Sequence, residues 1–424
     1  MGAVPVARVP THRRGPWPST GPAAVLAALA VALGTAGCTE PPPAGPDPVA
    51  TTTAPPATAS PTWPPPWAPP DGGTAPPLRG VPLPFPTAAL AEVADGEVDA
   101  AVREEVAAEH VEFLERAHNR GADSLTVIRA EEGTWTHVVG TVDGETPMTS
   151  EHQVGIGALG RVVLFAEVMT LVEDGALDLE REISHYLPKN LGFETDATVR
   201  DLLHHTSGLP DYHPAIAATI FGDPGHRFEP AELLAAVPER RYAVGTGGSA
   251  TDDVLLGLAI EHVTGTSVAQ AFRAHVLDAP GLEDLVVQPE EKPAGPVALP
   301  ALDRRAAERF SEGGGYLPSL AAASADWPAG GMASTTESLA RFMQLLCGGH
   351  ILSTTSLSEL AVWAEDFTGD AGQPTLGIYS FDGSYAGMAM CVPVSGRVLA
   401  VVMTAPSLEA TITAGQLVIP AIRP

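Results

Sequence analysis

His204-His205-Thr206-Ser207-Gly208 is the stretch of this 424-residue chain that first suggests chemistry. An imidazole beside a hydroxyl could activate a nucleophile, and two adjacent imidazoles could hold a metal. A metal would need a third ligand, and no carboxylate is spaced to provide one, so the block reads as structural. Ser249 and Ser384 are candidate displaced nucleophiles, but neither has a matched base, and both read as loop serines. Asp252-Asp253 and Glu290-Glu291 read as solvated charges, not as a carboxylate pair for proton transfer. The only two lysines, Lys189 and Lys292, are expected on the surface. Three cysteines, Cys38, Cys347 and Cys391, form no CxxC zinc pattern and are too few for a disulfide scaffold. In an oxidising compartment Cys347 and Cys391 could pair, but unpaired buried thiols are the expectation. No metal and no cofactor are implied.

Residues that could act must be held by a folded body, and 45% apolar residues provide for one. A net charge of −28 leaves no cationic surface to neutralise phosphates, so nucleic acid is excluded as a partner. Only four arginines and three acids precede residue 88, so the negative charge belongs to residues 88–424. There, Glu92 to Arg116 has helical spacing. Ser124 to Ala130 and Thr134 to Val139 read as a β-hairpin around Glu131-Glu132-Gly133. Ala158 to Asp174 reads as a long apolar helix stopped by Gly175. Met388 to Val392 and Val398 to Thr404 read as two further strands separated by Pro393 and Gly396, with a closing helix over Ala410 to Ile419. Strands at both ends with helices between predict an α+β domain over 88–424 whose sheet joins the two ends of the chain.

The first 87 residues have a different character. Arg8, His12, Arg13 and Arg14 precede the apolar run Ala23 to Leu33, which is too short to span a bilayer and reads as a secretory signal. Thr35-Ala36-Gly37-Cys38 resembles a bacterial lipobox with Thr where Leu is usual. That likeness implies removal of residues 1–37 and lipidation of Cys38. Residues 38–87 are rich in Pro, Thr and Ala, with 18 of the 42 prolines between Pro41 and Pro86. Such a segment favours polyproline II, and at about 3.1 Å per residue it would reach on the order of 150 Å. It reads as a tether from an extracytoplasmic membrane anchor to the domain.

Four ordered blocks carry a family resemblance. They are Leu171 to Leu179 followed by Tyr186-Leu187-Pro188; Val199 to Tyr212; Leu255-Leu256-Gly257 with Glu261 and Val263-Thr264-Gly265; and Ala329 to Thr335 with Leu339-Ala340-Arg341-Phe342. Together they resemble the serine β-lactamase and penicillin-binding-protein family, in its class C β-lactamase, D-Ala-D-Ala carboxypeptidase and esterase branch. The resemblance implies a mainly antiparallel sheet flanked by helices, beside a helical subdomain, with the active site between them. It also implies a Ser in an S-x-x-K motif as nucleophile, a Y-x-N motif, and a K-T-G or H-x-G motif on a cleft strand.

In this sequence those three stations differ from the family pattern. The first aligns with Ala158 and Arg161, a methyl and a guanidinium where a hydroxyl and an amine are required. The second aligns with Gly248-Ser249-Ala250, or in a slipped register with Ala250-Thr251-Asp252, and neither contains Tyr. The third aligns with Phe381-Asp382-Gly383, where Phe381 replaces the cation and Gly383 still permits close backbone approach. Arg161 is expected either to bind a carboxylate in the cleft or to neutralise a neighbouring acid. The Ala158 N–H is a surviving candidate for an oxyanion hole. The expectation is an envelope-anchored, catalytically inactive binding or scaffold protein for peptidoglycan fragments or an envelope protein. The alternatives are an esterase or D-amino-acid peptidase with relocated machinery, and a sugar- or polymer-binding module.

Overall fold

The computed structural model describes residues 85–116, 121–239, 249–301, 304–363, 376–381 and 384–404. The signal and lipobox residues with Cys38, the tether, Gly248, Asp382, Gly383 and the expected closing helix lie outside the described residues. From the N-terminal side come helix α1 (Ala100–Arg116), strands β1 (Asp123–Arg129), β2 (Gly133–Val139) and β3 (Val154–Gly155), and helix α2 (Arg161–Glu173). The middle holds helices α3 (Val199–Leu203), α4 (His213–Gly222), α5 (Pro230–Ala235), α6 (Ala250–Thr264) and α7 (Val268–His275), then strand β4 (Val286–Val287). Helices α8 (Arg304–Glu312) and α9 (Leu320–Ala325), strand β5 (Met332–Ser334) and helices α10 (Thr336–Cys347) and α11 (Thr354–Trp363) come next. Strands β6 (Leu376–Phe381), β7 (Ala386–Val392) and β8 (Arg397–Met403) close the described chain.

The expected joining of the ends is present. A five-stranded sheet runs β2-β1-β8-β7-β6, and Asp123 of β1 pairs with Met403 of β8 in an antiparallel ladder. β1, β7 and β8 are buried on both faces, which explains the near-continuous apolar runs of β7 and β8. On one face, Val106 of α1 packs against Leu125, Val127, Met388, Met390, Leu399 and Val401. On the other, α10 closes the main core, and its Thr336 hydroxyl satisfies the buried hydroxyls of Ser124 at 2.6 Å and Thr126 at 3.0 Å. A smaller sheet, β3-β5-β4, holds the approach to α2. The helices between β3 and β5 include α3, α5 and α7, each packed on α6.

Three expectations need correction. The first helix begins at Ala100, not Glu92, because the preceding residues serve the β1–β2 hairpin. Ala94 N–H donates to the Ala130 carbonyl at 2.9 Å, Thr134 N–H donates to the Gly96 carbonyl at 3.2 Å, and Asp99 receives the Ala101 N–H. Gly133, at φ 137°, could carry no side chain there, since a Cβ would lie 1.8 Å from the Gly96 oxygen. Second, the apolar helix opens with a separate 3₁₀ turn over Gly157–Gly160 before α2 proper. Third, Cys347 and Cys391 form a disulfide between α10 and β7, with Cα atoms 6.6 Å apart. Their sequence separation of 44 gave no sign of this proximity.

Candidate active site

The site grows from the turn Gly157–Gly160, which links β3 to α2 and presses against β6 and β7. Close approach is possible because small residues line the contact. A Cβ on Gly160 would lie 2.0 Å from the Ala329 oxygen, and one on Gly387 would lie 3.0 Å from Leu159 Cδ1. Ala158 stands in this turn and Arg161 begins α2. The Ala158 N–H donates to Ser380 Oγ at 2.9 Å. Sequence reasoning missed Ser380. Its only signal is strand alternation: Ile378 and Ser380 are buried while Tyr379 between them is 47% exposed. Phe381, the expected third-station residue, is the last residue of β6 and pairs with Ala386 in the ladder.

Arg161 Nε donates to Asp253 Oδ1 at 3.2 Å, with the two side chains 12% and 10% exposed. Its guanidinium also lies 4.8 Å from the centroid of Phe165, one turn along α2. Of the two roles expected for Arg161, the structure therefore shows neutralisation of a neighbouring acid. Burial pulls the guanidinium down from its ordinary value, and the Asp253 charge opposes that shift. Burial likewise pushes the Asp253 carboxyl up, and Arg161 opposes it. The guanidinium keeps its proton because its ordinary value lies far above neutrality.

Asp252-Asp253 are thus not solvated charges, which corrects the sequence reading. Ser249 caps α6, its Oγ accepting the Thr251 N–H at 3.3 Å, and the next turn carries both aspartates into the interior. Asp252 accepts the Ser207 hydroxyl at 2.6 Å and faces His205 Nδ1 at 2.8 Å. Burial above all, with Asp253 nearby, pushes the Asp252 carboxyl up to about 8. Burial, with the Arg161 charge, holds His205 well below its ordinary value. His205 Nδ1 and the Asp252 carboxyl thus meet in a short contact inside the protein. Ser249 is committed to the helix cap and Ala250 opens α6, so neither stands as a replacement for a catalytic phenol.

The His204-His205 block is structural, as its sequence suggests. The two imidazoles diverge, His204 Nε2 to Glu359 at 2.8 Å and His205 to Asp252. Thr198 and Asp201 form a capping box at the start of α3, and His205 adopts a positive φ of 54° in the turn after that helix. Beside this lies a second cluster. His213 at the start of α4 joins Asp211, 2.9 Å from Nδ1, to Asp326, 2.7 Å from Nε2. Burial pulls His213 down, but the two carboxylates more than reverse this and push it up to about 10. Of the other acids, Glu291 is held by Arg273 through Nε at 2.9 Å and Nη2 at 2.8 Å, while Glu290 is exposed. Lys189 and Lys292 are exposed, as expected.

The site therefore offers no hydroxyl on the residue that begins the turn-to-helix motif and no amine one turn later. In their place are a methyl, an ion pair, a bonded Asp–His pair, and a backbone N–H bonded to a strand hydroxyl. Comparison with known proteins gives this arrangement its context. A family model described as Beta-lactamase matches residues 98–415. A D-amino acid amidase from Ochrobactrum anthropi SV3, complexed with L-phenylalanine amide, has a TM-score of 0.62 at 20% identity, over 76% of this chain and 99% of that one. A penicillin binding protein from Bacillus halodurans has a TM-score of 0.58 at 18% identity, over 74% and 100%. The octameric penicillin-binding protein homologue from Pyrococcus abyssi has a TM-score of 0.57 at 20% identity, over 75% and 77%. At these identities the structures establish a shared fold.

Proposed function

Because this chain belongs to the β-lactamase family, we propose that it is a member that holds its ligand without cleaving it, tethered outside the cytoplasmic membrane. The observation that carries the proposal is Ala158 at the nucleophile position, with Arg161 locked onto Asp253 where a general base would stand. A serine hydrolase forms its acyl-enzyme through a hydroxyl deprotonated by a neighbouring base. Losing the nucleophile or its partner alone costs about 10⁶ in kcat, and such losses do not add. A guanidinium cannot release its proton near neutrality, so Arg161 does not replace the missing amine.

Location rests on the lipobox-like Thr35-Ala36-Gly37-Cys38 and the Pro-rich tether, and the Cys347–Cys391 disulfide fits an oxidising compartment. On this reading lipidated Cys38 is the anchor, and the partners are peptidoglycan fragments or an envelope protein. The test is incubation of the tethered protein with a fluorescent penicillin, which should leave it unlabelled.

The alternative is an esterase or D-amino-acid peptidase with relocated machinery. One observation favours it: Ser380 places a hydroxyl on the Ala158 N–H. That hydroxyl would need a base, and His205 and Asp252 are bonded to each other. Turnover of any ester in a broad panel, abolished by Ser380→Ala, would favour this alternative.

A further inference from the structure

A non-cleaving member of this family keeps one feature of its catalytic relatives, a backbone N–H at the head of the site. That N–H already has an acceptor. We infer that Ser380 is an internal plug: its hydroxyl occupies the position at which the Ala158 N–H would receive the oxygen of a bound carbonyl or carboxylate. The inference rests on the non-cleaving reading, since a Ser380 that itself reacted would be a nucleophile and not a plug.

The geometry that builds the plug is specific. Ser380 is fixed by the ladder, where it pairs with Gly387 of β7, so its place does not depend on a loop. Gly387 has no side chain, and Leu159 Cδ1 fills the space that one would need. This draws the turn Gly157–Gly160 onto the sheet and brings the Ala158 N–H to 2.9 Å from Ser380 Oγ. Ser380 is 3% exposed, while Ala158 remains half-buried. The N–H therefore sits near the surface of the site with its acceptor behind it.

A ligand oxygen must displace this hydroxyl before it can bind there. A hydrogen bond of ordinary net worth, held in place by the strand, lowers the affinity of a competing acceptor by about three- to tenfold. Position 380 then sets whether the N–H is available. Ser or Thr closes it, and Ala or Val opens it. Thr and Val have nearly the same volume, so this pair separates hydrogen bonding from steric filling.

The experiment uses the ¹⁵N-labelled mature protein and its Ser380→Ala, Ser380→Thr and Ser380→Val variants. Amide hydrogen exchange at Ala158 and a titration with benzylpenicillin are followed by NMR, with intact mass recorded at the end. In the wild type and Ser380→Thr, the Ala158 amide should be protected at least about tenfold more than in Ser380→Ala and Ser380→Val. Benzylpenicillin should shift that amide in Ser380→Ala with an affinity about three- to tenfold above wild type. Equal protection in all four proteins, or equal affinity in wild type and Ser380→Ala, overturns the plug. Should Ser380→Ala not fold, the Thr and Val variants decide the matter by amide protection alone. A penicilloyl adduct on the wild type would instead overturn the non-cleaving reading on which the plug rests.

Discussion

Replacing Asp253 by Ala leaves the Arg161 guanidinium inside the protein with its carboxylate gone. The two side chains are 12% and 10% exposed, so water cannot fully take over the lost interaction. Breaking a buried ion pair from one side costs about 3–5 kcal/mol, chiefly because the remaining charge stays desolvated. The Phe165 ring at 4.8 Å faces the guanidinium before and after the substitution, so it does not enter the difference. Asp253 also lies in the first turn of α6, where a carboxylate contributes about 0.3–1 kcal/mol against the helix dipole. The dipole contribution is small beside the ion pair, so Asp253→Ala should destabilise by about 3–5 kcal/mol, roughly 4–7 °C in Tm for a domain of this size. The double variant Arg161→Met/Asp253→Ala removes both charges and, measured beside Asp253→Ala and Arg161→Met, should recover most of that loss. Urea unfolding of the wild type, both single variants and the double variant closes the cycle. If Asp253→Ala lies within about 1 kcal/mol of wild type, the pair is not a buried replacement for catalytic chemistry.

Other residues carry two more expected outcomes. His213, pushed up to about 10 between Asp211 and Asp326, stabilises the fold fully below the unfolded value of about 6.5 and loses that contribution as pH rises toward 10. The stability difference between wild type and His213→Gln should therefore be constant below about pH 6.5 and shrink above it; a difference that grows with pH would contradict the His213 assignment. Cys38→Ser should move the full-length protein, expressed in a bacterium, from the detergent phase to the aqueous phase on partitioning. Unchanged partitioning would remove the lipid anchor.

What was legible in the sequence was local or carried by extended blocks. The hairpin of Ser124 to Ala130 and Thr134 to Val139 showed itself through β-rich runs around a Gly-containing turn, and the two late strands did the same. Ala158 and Arg161 stand where a 3₁₀ turn passes into a helix, and the apolar run after Gly157 had already suggested that helix. What was missed lies in contacts between distant segments. Arg161 and Asp253 are 92 residues apart, and nothing in Thr251-Asp252-Asp253 shows that the helix turns both acids inward. The Cys347–Cys391 bond and the Ser380 contact with Ala158, 222 residues away, are of the same kind. The helix start at Ala100 was missed for a local reason. Apolar spacing continues through Val93 and Val98, but the backbone there is engaged by the hairpin.

The most direct test of the central claim is intact-mass analysis of the mature, tethered protein after prolonged exposure to benzylpenicillin and to an activated ester. The account predicts an unchanged mass with both, since Ala158 carries no nucleophilic atom and the Arg161 guanidinium cannot take a proton near neutrality. A stable acyl adduct on Ser207, Ser249 or Ser380 would contradict it.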